Sequence, residues 1–501
     1  MTSLLRRRAD DRADEIAVRF LRDGETESDV ICYKDLDSRA RVIAARLQRL
    51  DAQGKRILLL YPSGPDYIAA FFGCLYAGAI AVPAYPPRNR RHYPRITAIL
   101  QDSGAEIALT NTATLPQVRK AFESGIGRNS CVAIATDELS SELSNCWHDP
   151  SCQSSDLAFL QYTSGSTGAP KGVMVSHANL LHNAAAIQHR FEESERTQLV
   201  SWLPPYHDMG LIGGIVQPVY LGIPVVLMPP EAFLQKPVRW LQAISNYRAC
   251  TSGGPNFAYD YCVRRVSSEN VVQLDLSCWE LAFNGAEPIR TDTLDRFVNK
   301  FAPAGFRSAA FYPCYGMAEA TLFVTGSRRL QEPASQKVEE LALSHGQMVV
   351  TDKTSDVKSL VGCGHPAPST AIKIVDPDTK LICPPDYVGE IWVAGSTVAE
   401  GYWQREEQTE ATFSAYLANE SMAEADRGPF LRTGDLGILH DGELFVTGRL
   451  KTTLVIRGRN YYPQDIESVV QASCADFRLG CGAAFGFEGA GGEEQLVIVQ
   501  E

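Results

Sequence analysis

Short apolar runs alternate with segments of helical periodicity through most of the chain. Residues 57–61 form one such run; apolar side chains then recur at helical spacing from Tyr67 to Leu75, and Gly78 closes the helix. Further apolar runs lie at residues 80–82, at 107–110, at 157–162 before a predicted helix from Ser176, and at 225–228. Continuous apolar strands separated by helices are typical of sheets covered on both faces, so the sequence predicts an α/β fold.

The pattern changes along the chain, which indicates more than one packing unit. A chain of 501 residues exceeds what one hydrophobic core supports. After about Gly362 the apolar runs become β-rich segments at residues 371–375, 389–393 and 443–447, separated by Pro, Gly and Asp turns, and this predicts a smaller β-rich subdomain. Residues 334–358 are polar and weakly patterned, which is typical of a surface insertion or a long loop.

Composition narrows the class of protein. The net charge of -12 disfavours nucleic acid as a partner, because an acidic chain repels phosphate backbones. The 13 cysteines are scattered singly without a C-x-x-C pair, which favours reduced thiols over a disulfide framework or a zinc site. The N-terminus lacks the apolar core of a signal peptide, and the longest apolar stretch, residues 67–83, is too short to span a membrane. We therefore expect a cytoplasmic protein without a membrane span.

A loop rich in glycine and hydroxyl side chains follows the apolar run at residues 157–162. Its glycines let backbone N–H groups approach an anion closely, its hydroxyls add donors, and Lys171 adds a positive charge. It is not a Walker A loop, because Lys171 lies six residues after Gly165 and is followed by Gly172. The segment predicts a phosphate site. Its candidate ligands are Thr163, Ser164, Gly165, Ser166, Thr167, Gly168 and Lys171.

This loop resembles the signature of the adenylate-forming superfamily, which contains acyl-CoA synthetases, peptide-synthetase adenylation domains and luciferases. Further segments resemble the superfamily's motifs in the same order: residues 202–210 beside the acyl carboxylate, 312–319 at adenine, 431–436 at ribose, and 448–451 with 457–463 in the hinge region. The resemblance implies that the chain binds ATP and joins a carboxylate to AMP.

The resemblance also implies a domain organisation. We expect a large N-terminal domain over residues 1–447, made of two α/β subdomains and the β-rich subdomain at about 362–447. A hinge would follow at 448–452, and residues 453–501 would begin a small, truncated C-terminal domain. Thr452 departs from the family pattern, because the hinge usually carries Asp at that position.

Individual roles follow from the same resemblance. Lys171 and the loop hydroxyls would hold the departing pyrophosphate, and Glu319 would coordinate Mg²⁺, which prefers carboxylate and phosphate oxygens. Asp435 would accept hydrogen bonds from the ribose hydroxyls, with Arg449 nearby. His207 would hydrogen-bond the acyl phosphate or shape the carboxylate entrance, although a single histidine is more often structural. The remaining predicted nucleotide contacts are Gly285, Ala286 and Glu287 beside the phosphate, and Tyr315, Gly316, Met317 and Ala318 around adenine.

Within the superfamily the chain resembles the fatty acyl-AMP ligase branch. The resemblance lies in residues 71–87, in residues 458–467, and in Ala318 where most of the superfamily has Thr. The branch carries an insertion at the place of residues 334–358, and the resemblance implies that this insertion restricts the domain rotation that thioester formation needs. The resemblance therefore implies activation of a fatty acid to acyl-AMP with ATP and Mg²⁺, transfer to an acyl carrier protein, and little acyl-CoA product.

Three alternatives stay open. One is a long-chain acyl-CoA synthetase, and another is an amino-acid-activating domain, which needs an acidic anchor within residues 233–261. The third is a catalytically weak module that binds acyl-AMP. The superfamily supplies a lysine to the reacting carboxylate from late in its C-terminal domain, and no lysine follows Lys451 here. We therefore expect the 501-residue chain to bind ATP or acyl-AMP but to form acyl-AMP slowly.

Overall fold

The computed structural model describes residues 1–123, 131–163, 170–419, 421–456, 459–474, 476–478, 480–488 and 494–501. Its helices are α1 Thr2–Asp11, α2 Tyr33–Gln48, α3 Pro65–Tyr76, α4 Tyr93–Ser103, α5 Leu115–Glu123, α6 His177–Phe191, a π-helix Met209–Val216, α7 Gln217–Leu221, α8 Pro230–Gln235, α9 Val238–Tyr247, α10 Asn256–Arg265, α11 Ser268–Val271, α12 Thr291–Phe301, α13 Glu340–Ser344, α14 Glu406–Phe413 and α15 Pro463–Ser473. Short 3-10 turns lie at Arg90–His92, Ser141–Cys146, Ala302–Ala304, Ser308–Ala310, Ala318–Ala320 and Glu424–Asp426.

The strands are β1 Ile16–Leu21, β2 Glu27–Cys32, β3 Arg56–Leu60, β4 Ile80–Ala84, β5 Ile107–Thr110, β6 Val132–Ala135, β7 Leu157–Thr163, β8 Lys171–Ser176, β9 Leu199–Ser201, β10 Val225–Leu227, β11 Thr251–Gly254, β12 Leu281–Asn284, β13 Phe311–Gly316, β14 Phe323–Gly326, β15 Ser335–Glu339, β16 Val357–Val361, β17 His365–Pro366, β18 Thr370–Val375, β19 Gly389–Gly395, β20 Leu431–His440, β21 Glu443–Arg449, β22 Leu454–Ile456, β23 Arg459–Tyr461, β24 Gly482–Glu488 and β25 Glu494–Gln500.

Two mixed sheets with intervening helices form the α/β part, which confirms the predicted fold class. The six-stranded sheet has the order β6-β5-β3-β4-β7-β8 and is parallel except for β8. The nine-stranded sheet has the order β17-β14-β13-β12-β11-β9-β10-β1-β2; its strands from β13 to β1 are parallel, and β2, β14 and β17 run antiparallel to their neighbours. The carboxyl ends of parallel strands therefore meet at one edge, where ligands bind in such sheets.

The apolar segment at residues 67–83 forms a buried helix, α3, followed by strand β4. Gly73 on α3 faces α2, and a Cβ there would lie 2.7 Å from Ile43, so glycine permits the two helices to approach. Phe71 packs edge-on against Phe159 of β7, with ring centroids 5.9 Å apart. No helix among the described residues is long and apolar enough to cross a membrane.

One strand was not predicted. The sequence predicts the phosphate loop and then a helix from Ser176 after the run at residues 157–162, but between the loop and the helix lies β8, which runs antiparallel to β7 and pairs Lys171 with Thr163. Helix α6 then begins after Ser176, whose side chain accepts a hydrogen bond from the Asn179 N–H in a capping box. The predicted phosphate loop therefore connects two paired strands.

The predicted β-rich segments form a four-stranded antiparallel sheet, β18-β19-β20-β21. Beyond it lie the β22–β23 hairpin, α15 and the β24–β25 hairpin. The domain boundaries at residues 447 and 452 stay predictions.

The segment at residues 334–358 is not a long loop. Strands β15 and β16 pair antiparallel, and α13 lies between them in sequence. The few apolar side chains of this segment join one buried cluster with side chains of the β20–β21 hairpin. The cluster consists of Val338, Leu343, Met348, Leu360, Ile438 and Phe445. These apolar residues are too widely spaced in the sequence to show a period.

Candidate active site

A cavity of about 680 Å³ lies where the carboxyl ends of β12 and β13 face the β20–β21 hairpin. Of the residues predicted from the sequence, it brings together Thr163, Lys171, His207, Gly285, Ala286, Tyr315, Gly316, Met317, Ala318, Glu319 and Arg449. Asp435 and Glu287 line a neighbouring cavity instead. The predicted ligands Ser164, Gly165, Ser166, Thr167 and Gly168 lie outside the described residues.

Tyr402 connects the predicted cation and the predicted metal ligand. Its hydroxyl donates a hydrogen bond to Glu319 Oε1 at 2.9 Å, and its ring centroid lies 4.8 Å from Lys171 Nζ. Backbone hydrogen bonds tie its segment to β8, because the Met174 N–H donates to the Gly401 carbonyl. Tyr402 lies outside every recognised motif, so the sequence did not predict it as a site residue.

Opposing effects set the protonation of the two charged residues. Burial lowers the pKa of Lys171, and the positive charges of Lys451 and Arg405 lower it further, whereas Glu319 raises it. Burial raises the pKa of Glu319, and the hydrogen bond from Tyr402 lowers it. A cationic Lys171 suits a phosphate, and an ionised Glu319 suits a metal ion.

The fit of Glu319 to Mg²⁺ depends on what else would hold the ion. Among the described residues, no three His, Cys, Asp or Glu side chains cluster closely enough to form a metal site by themselves. Mg²⁺ is usually bound by one or two carboxylates together with substrate phosphates and waters. A single carboxylate on the wall of this cavity therefore fits an ion that arrives with a nucleotide.

Asp435 is held between two donors by the register of β20 and β21. The register places it opposite Arg449, whose Nε donates to Oδ1 at 2.8 Å. The Tyr315 hydroxyl donates to Oδ2 at 2.8 Å, and burial raises the pKa of Tyr315, so this donor keeps its proton. Because a carboxylate has about four acceptor sites, Asp435 can still accept from a diol.

His207 lies between β9 and the π-helix, with its imidazole 54% exposed. Its Nδ1 lies 2.6 Å from Asp208 Oδ1, and the charge of Asp208 raises the pKa of His207. The turn closes tightly because position 210 is glycine: a Cβ at Gly210 would lie 2.1 Å from the Pro204 carbonyl oxygen. The arrangement holds an imidazole that is readily protonated at the cavity wall.

The segment after β12 separates Glu287 from its predicted neighbours. Ala286 adopts a φ of 68°, which is unusual for a residue with a side chain and is often found at functional sites. Gly285 and Ala286 line the main cavity. The Glu287 carboxylate instead accepts a hydrogen bond from the Phe257 N–H, and burial raises its pKa.

Apolar side chains that the sequence did not predict line part of the same cavity, which we call its apolar arm. Its walls come from α6, the nine-stranded sheet and the segment before β14: Ile187, Phe191, Leu199, Phe283, Leu322 and Phe323. The π-helix contributes Gly213, where an added Cβ would meet only Leu322, at 4.0 Å. A polar chamber and an apolar channel thus form one space, suited to a molecule with a charged head and an apolar chain.

Comparison with known proteins gives consistent matches. The family model described as AMP-binding enzyme matches residues 5–403. The chain is 45% identical to the medium-chain-fatty-acid–[acyl-carrier-protein] ligase JamA of Moorena producens, over 100% of this chain and 85% of that protein. It is 39% identical to the long-chain-fatty-acid–AMP ligase FadD26 of Mycobacterium tuberculosis, over 94% of this chain and 82% of that protein. A fatty acyl-adenylate ligase of Legionella pneumophila, solved with acyl adenylate and pyrophosphate, superposes with a TM-score of 0.85 at 42% identity, covering 100% of this chain and 85% of that one.

Proposed function

Because this chain belongs to the family of AMP-binding enzymes, we propose that it activates a fatty acid as acyl-AMP, releases pyrophosphate from ATP, and passes the acyl group to an acyl carrier protein. The observation that carries the proposal is that one cavity combines a polar chamber, lined by Lys171, Glu319 and Arg449, with an apolar arm. One relative is named as a ligase that joins a fatty acid to an acyl carrier protein, and another as a ligase that joins a fatty acid to AMP; these names support the proposed substrate and the proposed acceptor.

The proposed reaction begins when the fatty carboxylate attacks the α-phosphorus of ATP and the bond to pyrophosphate breaks. Both reactants are anions, so the chain acts chiefly by positioning them and by offsetting their charge. Lys171 would bind the leaving pyrophosphate, and protonated His207 would hold an oxygen of the carboxylate or of the acyl phosphate. Glu319 would hold Mg²⁺, which supplies positive charge to the phosphate oxygens when bound.

The remaining assignments concern the nucleoside and the phosphate loop. Asp435 would accept hydrogen bonds from the ribose hydroxyls, and the Tyr315 ring, fixed by its hydrogen bond to Asp435, would pack on adenine. The proposed phosphate contacts are Thr163, Ser164, Gly165, Ser166, Thr167, Gly168, Gly285 and Ala286, and those around adenine are Gly316, Met317 and Ala318. We place the reaction in the cytoplasm, where ATP is available and the 13 unpaired cysteines stay reduced.

Pyrophosphate exchange with ATP, Mg²⁺ and a panel of fatty and amino acids tests the first half-reaction, with products identified by mass spectrometry. We expect acyl-AMP from fatty acids and no exchange with amino acids; exchange with amino acids alone would refute the substrate class. Coenzyme A and an acyl carrier protein are then offered as competing acceptors. Robust acyl-CoA synthesis would identify an acyl-CoA synthetase instead.

A further inference from the structure

The apolar arm of the cavity ends on two polar side chains. Glu193 follows α6 and precedes β9, and Gln217 follows the last residue of the π-helix; both line the cavity. Both are buried, with 6% and 1% of their surface exposed. A buried carboxyl and a buried amide at the end of an apolar channel cost free energy unless their hydrogen bonds are made.

The pair lies across the π-helix from His207. The π-helix begins after Asp208, beside His207, and ends before Gln217, so His207 and Gln217 lie at opposite ends of one helix. At a rise of 1.5 Å per residue their axial separation is at most about 15 Å. The lining residues Leu199 and Thr251 begin β9 and β11 and are paired in register, so the arm extends to the amino edge of the sheet. The pair therefore faces the tail of a bound acid.

The hydrogen bonding of the pair is incomplete. Gln217 Nε2 donates to Glu193 Oε2 at 2.9 Å. Gln217 Oε1 is buried and accepts nothing; among the described side chains that line the cavity, it is alone in having a buried polar atom without a partner. Arg329, the nearby cation, is paired with Glu280. Burial raises the pKa of Glu193 to about 7, so the carboxyl can present either a proton or a lone pair.

We infer that Glu193 and Gln217 bind a hydroxyl group at the far end of the acyl chain, and that the preferred substrates are medium-chain acids hydroxylated at or near that end. A hydroxyl can exchange a hydrogen bond with Glu193 and, once the Gln217 amide turns toward it, donate to Oε1, whereas a methyl group leaves the amide oxygen unpaired. A site built to hydrogen-bond a substrate hydroxyl discriminates strongly against the analogue that lacks it. The inference rests on the proposed function, because it takes the apolar arm as the acyl site.

The test compares matched pairs of plain and terminally hydroxylated straight-chain acids of six to twelve carbons. For the full chain, kcat/KM in pyrophosphate exchange and Kd of the free acids by calorimetry are measured. We expect the hydroxylated acid of the best pair to be preferred about 10- to 100-fold in kcat/KM. Preference for the plain acid at every length would overturn the inference.

The matched variant replaces both partners, Glu193→Leu with Gln217→Leu, because removing a buried hydrogen-bonded pair together can leave stability nearly unchanged. We expect it to lose the preference for the hydroxylated acid and to accept the plain acid better. Retention of the preference would also overturn the inference. Glu192→Gln, an exposed change in the same turn, serves as control and keeps the preference of the unaltered chain. If no acid supports exchange, the proposed function fails, and the ratio of the two Kd values alone decides the inference.

Discussion

The hydroxyl of Tyr402 donates a hydrogen bond of 2.9 Å to the carboxylate of Glu319. The same side chain places its ring 4.8 Å from the Lys171 ammonium, so one residue supports both the predicted metal ligand and the predicted phosphate ligand. Tyr402 is carried by a segment that pairs with β8, where Val173 and Tyr402 form a bridge. Its position therefore depends on β8, the strand that begins at Lys171.

Replacing Tyr402 with Phe removes the hydrogen bond and keeps the ring. The hydrogen bond lowers the pKa of Glu319 against the effect of burial, so its loss raises that pKa. Activity that needs ionised Glu319 is lost as pH falls through this pKa, so the acidic limb of kcat/KM moves to higher pH. We expect kcat/KM near neutral pH to fall by the equivalent of about 1–3 kcal/mol.

The pH profile of pyrophosphate exchange measures this effect. Tyr247→Phe is the control, because it removes a comparable hydrogen bond to Glu27 on the surface. An unchanged acidic limb in Tyr402→Phe would contradict the assigned role of the hydroxyl.

Asp435→Ala tests the ribose assignment. The variant removes the acceptor of the ribose hydroxyls and leaves the donors of Tyr315 and Arg449 unpaired, so ATP binding should weaken by about 1–3 kcal/mol. Calorimetric titration with ATP gives the Kd. Asp441→Ala, at the exposed turn of the same hairpin, is the control. Equal ATP affinity in Asp435→Ala and the unaltered chain would rule the assignment out.

The elements predicted correctly from the sequence are those whose own residues show the pattern of the element, such as a continuous apolar run or a glycine after a helix. Strands β3, β4 and β5 are buried on both faces and read as continuous apolar runs, and Gly78, with a φ of 67°, follows the end of α3. Motif residues such as Lys171, Glu319 and Arg449 line the cavity, and their roles stay predictions.

The features that were missed depend on contacts between distant parts of the chain. Tyr402 reaches Glu319 because its segment pairs with β8. The hairpin of β15 and β16 is stabilised by a cluster completed with side chains from β20 and β21. A local period in the sequence cannot reveal such contacts, nor the meeting of Glu193 with Gln217.

Lys358→Met tests the link between the β15–β16 hairpin and the C-terminal segment. Lys358 pairs with Asp465, and its ammonium lies 4.7 Å from the Tyr462 ring centroid. Loosening this link should favour the rotation that thioester formation needs, so we expect more acyl-CoA relative to acyl-AMP. The ratio of the two products by mass spectrometry measures the effect.

Deleting residues 334–358 is a poorer test, because it would remove part of the cluster that buries Ile438 and Phe445. Lys353→Met is the matched control, since Lys353 is exposed and forms its ion pair with Glu339 of β15, inside the same segment. An acyl-CoA share in Lys358→Met no higher than in the control would contradict the proposed restraint.

Glu193→Gln should stabilise the protein increasingly as pH rises. Burial raises the pKa of Glu193 to about 7 from an ordinary value of 4.5, so between these values the unfolded chain ionises the carboxyl while the folded chain keeps its proton. The unfolded state then binds fewer protons, and the free energy of unfolding falls as pH rises through this window. Glutamine cannot ionise, so the variant does not undergo this fall in the free energy of unfolding. Between pH 5.5 and 8 we expect the stability of the variant relative to the unaltered chain to grow by about 2 kcal/mol, measured as a widening gap in thermal unfolding midpoints. Glu192→Gln, which is exposed, should show no such widening. A gap for Glu193→Gln that stays constant across this range would mean that Glu193 is already ionised in the folded protein at pH 5.5. The assignment of a buried, protonated carboxyl to the end of the acyl arm would then be wrong.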